Sequence, residues 1–109
     1  MSAMQATRPL GKAGQALWDQ IWSSARWVDP ETDFESVLML CEAMDERLPL
    51  RVAVFQNNDW RQRAALRALD TQIAMLMDVL GLNPTGRRRL AVQVEESPFD
   101  ELARRRASP

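Results

Sequence analysis

From Lys12 to Trp27 the apolar residues Leu17, Trp18, Ile21, Trp22 and Ala25 recur every three or four positions. That spacing gathers them on one broad face of a helix. A second stripe runs through Phe34, Val37, Cys41, Met44 and Leu48 and continues into Val52 and Phe55. Pro49 interrupts it, at a cost of roughly 3 kcal/mol inside a helix. The helix therefore kinks at Pro49, or ends near Leu48 and restarts. The stripe keeps its phase across the proline, which favours one kinked helix. A third stripe, Leu66, Leu69, Ile73, Leu76 and Leu80, steps by three and four in the manner of a coiled-coil seam.

Local chemistry sets the boundaries. Thr32 or Asp33 can cap the second helix after the Asp29-Pro30 loop. Asn57-Asn58-Asp59 reads as a turn, with Asp59 and Gln62 spaced as a capping box for the third helix. Gly81 suits the left-handed close of that helix. Asn83 and Pro84 suit the cap and first position of a short helix from Pro84 to Val94. The expected fold is all-α: a long antiparallel helical hairpin, with a preceding helix and a short C-terminal helix. Each hairpin helix would span about 30 Å. Residues 1–11 read as a flexible arm, 12–94 as the helical domain, and 95–109 as a charged tail in which Phe99 and Leu102 are the bulky apolar groups. Met75, Met77 and Val79 spread apolar surface beyond the seam, so a further helix or subunit must cover it.

Composition narrows the chemistry. The 109 residues fit one domain, and six prolines, four glycines and no tyrosine argue against a sheet protein. There is no histidine, which removes the commonest general base and metal ligand. Cys41 is the single cysteine and lies on an apolar stripe, so a core role is expected. Glu42, Asp45 and Glu46 form the nearest approach to a metal cluster, without the accompanying loop of oxygen ligands. No phosphate-binding loop is present, because Gly81 and Gly86 lack the lysine and spacing it needs. The expectation is a non-enzyme without metal or cofactor. With no signal peptide and no apolar run of about 18 residues, no membrane association is expected and an intracellular location is.

The net charge of −1 hides local imbalance. Residues 29–59 hold eight acids against Arg47 and Arg51, while residues 60–94 hold six arginines against Asp70 and Asp78. Opposite charge on neighbouring segments can draw helices or subunits together. Arg87, Arg88 and Arg89 follow one another near a helix start and span too wide an arc to share a buried face. They could grip phosphates, or form a solvated face or bridges to an acidic segment.

The stretch from Leu80 to Leu90 resembles the closing motif of a family of phage terminase small subunits. The matching residues are Leu80, Gly81, Leu82, Pro84, Arg87, Arg89 and Leu90. Upstream, Gly14, Leu17 and Trp18, then Asp33 ahead of Leu40-Cys41-Glu42, look similar too. The resemblance covers about residues 12–92. It implies a non-enzymatic helical protein that assembles into a homo-oligomeric ring in the host cytoplasm. Such a protein binds double-stranded viral DNA and presents it to the large ATPase/nuclease subunit to start genome packaging. On that reading Arg87, Arg88 and Arg89 are the first candidates for DNA contact, with Arg8 and Lys12 second. Trp18, Trp22, Leu66, Leu69, Ile73 and Leu76 are expected to pack the oligomer, and Phe99 and Leu102 to meet the large subunit. The alternative is a small helical adaptor that dimerises through its hairpin and does not bind DNA. A helix-turn-helix regulator fits less well, because the hairpin is too long.

Overall fold

A computed structural model describes residues 4–95. All regular structure among them is helical: α1 (Lys12–Ser24), α2 (Phe34–Asn57), α3 (Trp60–Val79) and α4 (Pro84–Glu95). None of these helices is long and apolar enough to cross a membrane. The molecule measures 68 × 37 × 18 Å, so each long helix keeps one side in solvent.

The core lies where α1 crosses the first half of α2. Trp18, Val37, Leu38, Leu40 and Cys41 are fully buried there. Trp18 meets Trp22 and Phe34 edge-on, with ring centroids 5.5 and 5.1 Å away, a favoured geometry for aromatic pairs. Close approach of α1 to α2 depends on Gly14, where a Cβ would stand 2.6 Å from the Cys41 carbonyl oxygen. The N-terminus of α1 is finished from outside the helix. Gly11 holds the cap position and has no side chain, so the Asp45 carboxylate on α2 accepts the Gly11 and Gly14 N–H groups at 2.6 and 2.7 Å.

Residues 4–11 are docked rather than forming the expected loose arm. The Met4 carbonyl accepts the Trp18 Nε1–H at 2.7 Å, and Arg8 reaches the carboxylates of Glu35 and Glu42, each at 2.7 Å. α1 also stops sooner than the spacing predicts, at Ser24 rather than Trp27. Ala25 leaves the helical region, and a turn from Ala25 to Val28 keeps both of those residues buried. This frees Trp27 to reach across to the end of α3.

α2 runs through Pro49 as one helix. Asp33 stands at its cap position, but its carboxylate accepts the Asp29 N–H at 2.9 Å and closes the preceding loop instead. Asn58 ends α2 in a left-handed conformation, φ 50°. Asp59 caps α3 through the Arg61 N–H at 3.0 Å. The expected capping box is incomplete, because the Gln62 amide oxygen accepts from Asn57 and does not turn back to Asp59. α2 packs along α3, where Leu69, Ile73 and Leu80 are buried and Leu66 and Leu76 half-buried. Arg47 and Asp70 bridge the two helices at 2.6 Å.

The α2 stripe divides at Asp45. Before it, Val37 and Cys41 are covered by α1. Beyond it, α1 has ended, and Leu48, Val52 and Phe55 stand exposed, Phe55 by 90%.

Candidate functional site

The link between α3 and α4 is built almost wholly from local sequence. Gly81 takes φ 69°. Its N–H donates to the Asp78 carbonyl at 3.1 Å, and the Leu82 N–H to the Met77 carbonyl at 2.8 Å. This pair of bonds is a Schellman motif, which satisfies the last carbonyls of a helix. Asn83 then caps α4, its Oδ1 accepting the Gly86 N–H at 2.6 Å. Pro84 follows as the first helical residue. Gly86 is buried where α4 approaches α3, and a Cβ there would run into the Asp78 carbonyl.

Trp27 locks this link from the far side. Its indole Nε1–H donates to the Leu80 carbonyl at 2.8 Å. The Arg87 guanidinium carbon lies 5.9 Å from the Trp27 ring centroid, within cation–π range. A pocket of about 220 Å³ sits beneath, lined by Leu17, Ile21, Trp27, Met77, Leu82 and Arg87.

Arg87 and Arg88 are exposed on the first turns of α4. The Arg89 side chain lies outside the described residues, as do Phe99 and Leu102. The junction therefore presents two adjacent cations on a fixed backbone, a suitable arrangement for gripping phosphate oxygens.

The other expected contacts fare differently. Lys12 is exposed at the start of α1. Arg8 is held in a double bridge. Its hydrogen bonds to Glu42 and Glu35 raise its own pKa and draw that of Glu42 below the usual carboxylate range. Its charge is thus answered within the chain, and it is not a free phosphate ligand. Glu42 binds Arg8 and Asp45 caps α1, so neither faces a shared metal position. Among the described residues, no group of three potential ligands converges.

The six expected oligomer contacts divide by burial. Trp18, Leu69 and Ile73 are buried within the chain and have almost no surface to offer a second copy. Trp22, Leu66 and Leu76 are half-buried. Helical periodicity marks burial and does not say whether the covering surface belongs to the same chain.

Sequence reasoning missed the other end of α2 and α3. There Arg51, Val54, Phe55, Asn58, Arg63 and Leu66 line a groove, and Trp60 stands 71% exposed beside it, with the Arg61 guanidinium over its ring at 5.2 Å. Arg51 precedes the Asn58-Asp59 turn and Arg63 follows it, so the hairpin brings the two arginines to one end, and that was the available signal.

Compared with known proteins, the chain matches no family model, no curated protein and no solved structure.

Proposed function

We propose that this chain is a non-catalytic small terminase subunit of a tailed phage. It binds double-stranded viral DNA, assembles with copies of itself into a ring in the host cytoplasm, and hands the DNA to the large ATPase/nuclease subunit. The observation that carries the reading is the presentation of Arg87 and Arg88. A left-handed glycine, a Schellman turn and an asparagine cap hold them at the start of α4, exposed and next to each other. The resemblance of Leu80–Leu90 to terminase small subunits supports the choice of partner. The α2–α3 hairpin would form the body of the ring, and Lys12 would be a second DNA contact.

A duplex-binding titration against salt tests this reading. Replacing Arg87, Arg88 and Arg89 with alanine should weaken binding and lower the log–log salt slope by about one for each phosphate that no longer meets an arginine. Arg8→Ala should leave the slope unchanged. Wild-type affinity and slope in the triple variant would remove α4 from the DNA interface.

The exposed Leu48, Phe55 and Trp60 favour a second reading, a protein–protein adaptor. A chain that binds no duplex even at low salt, yet associates through that surface, would be the adaptor.

A further inference from the structure

The end of the α2–α3 hairpin concentrates positive charge. Residues 51–67 hold Arg51, Arg61, Arg63 and Arg67 against Asp59 alone, in a chain of net charge −1. Asp59 is already engaged at the α3 cap, where it accepts the Arg61 N–H. Arg8 and Arg47 are bridged to carboxylates, whereas none of these four arginines bridges to one among the described residues. All four are exposed. Arg63 donates to the Asn58 side-chain oxygen, which steadies it at the turn without answering its charge. That charge is left for an anion outside the chain.

Helical spacing gathers the arginines with two exposed rings. Arg51 and Phe55 are four apart on α2, and Trp60, Arg63 and Arg67 step by three and four along α3, so each set shares a helix face. The faces meet where Arg51, Phe55 and Arg63 line one groove of about 450 Å³, within the range of roughly 300–1,000 Å³ common to small-molecule sites. Phe55 and Trp60 are the most exposed large apolar side chains among the described residues.

Four unanswered cations call for a polyanion, and the rings decide which one. In a duplex the base faces are stacked on one another and offer nothing to an indole. A single strand presents phosphates to arginine and base faces to aromatic rings, the combination by which proteins hold unpaired strands. We propose that the hairpin end binds single-stranded DNA, with Trp60 and Phe55 stacking on bases and Arg51, Arg61, Arg63 and Arg67 meeting the backbone. That the strand is DNA rests on the proposed function. The site itself is separate from Arg87 and Arg88, which lie past the other end of α3, and Arg63 is roughly 24 Å from Val79 at about 1.5 Å of rise per residue.

Fluorescence anisotropy with a labelled oligothymidylate, titrated against salt, tests it. Trp60→Ala should weaken binding about tenfold, the loss of one stacked base, at an unchanged salt slope. Trp60→Phe should keep most of the affinity. Arg51→Ala with Arg63→Ala should lower the slope by about 0.7 for each phosphate no longer met. Circular dichroism checks the helices; if that pair loses helix, Arg51→Ala with Arg67→Ala takes its place. Duplex affinity should stay at the wild-type value in Trp60→Ala. Wild-type oligothymidylate affinity in Trp60→Ala overturns the proposal. So does a chain that ignores the oligothymidylate at low salt, whether it then associates with itself or binds vesicles of phosphatidylcholine and phosphatidylglycerol through the same surface. The duplex titration of the alanine triple at Arg87, Arg88 and Arg89 is read separately, so the two sites can fail independently.

Discussion

Asp45 on α2 caps the helix that contains Gly14. One oxygen of its carboxylate takes the Gly14 N–H at 2.7 Å, and the other takes the Gly11 N–H at 2.6 Å. One side chain thus satisfies two orphan donors of α1 and fixes where α1 crosses α2. Asp45→Ala should cost about 1–2 kcal/mol in urea unfolding, the usual penalty for removing a cap. Gly14→Ala should cost about 1–3 kcal/mol, because its Cβ would press on the Cys41 carbonyl. Wild-type midpoints for both variants would mean that α1 is not held this way.

Cys41 lies fully buried beneath α1, and burial together with nearby acids pushes its thiol up to about 12. The thiolate is the reactive form. A thiol reagent at neutral pH should therefore label the native chain slowly and the urea-unfolded chain quickly. The raised pKa also has a stability consequence. Below about pH 8.5 the thiol is protonated in both states and makes no difference. As pH rises from there towards 12, the unfolded chain gains a thiolate that the folded chain resists, so stability falls. Cys41→Ala should lessen that alkaline decline in thermal melts between pH 8 and 11. Equal alkaline slopes in both proteins would refute it.

How much of this was readable in the sequence depended on the range of each interaction. The α3–α4 junction was legible because Gly81, Asn83 and Pro84 act on their own backbone neighbours. The apolar seam of α3 was legible because burial follows helical period. The cap from Asp45 to Gly11 and the bridge from Arg8 to Glu42 join residues 34 positions apart, and no local pattern signals them. Arg8 was a DNA candidate for that reason: its charge is plain in the sequence and its partners are not. The same limit made Trp18, Leu69 and Ile73 look like an oligomer surface, since a stripe does not reveal which chain covers it.

The Arg8 bridge should yield under acid. The guanidinium of Arg8 holds the Glu42 carboxyl below its usual range. A depressed folded pKa contributes stability above the unfolded value, near 4.3, and that contribution fades as pH falls through the folded value. Glu42→Gln should therefore be less stable than wild type at pH 7, with the gap closing towards pH 3. Tryptophan fluorescence during thermal unfolding suits the measurement, because Trp18 is tied to the same segment through Met4. A gap that persists undiminished at pH 3 would show that Glu42 acts through packing and not through charge.

Trp27 makes two separable contributions at the junction. Its N–H satisfies the Leu80 carbonyl, and its ring underlies the Arg87 guanidinium. Trp27→Phe removes the first and keeps an aromatic face for the second. Its cost should be about 1–2 kcal/mol, that of a half-buried carbonyl losing its donor. Trp27→Ala removes both and opens the adjoining pocket, so it should cost more. A double-mutant cycle between Trp27→Ala and Arg87→Ala isolates the ring–cation interaction, expected at about 0.5–1 kcal/mol for an exposed site. Gly81→Ala provides the comparison from the backbone side. Its left-handed φ would be strained by about 1–2 kcal/mol, and its Cβ would meet Leu90. If the junction serves to present the arginines, Gly81→Ala and Trp27→Ala should both weaken duplex binding although neither removes a charge. Reduced stability with duplex affinity intact would mean that the junction holds α4 in place without setting how Arg87 and Arg88 meet DNA.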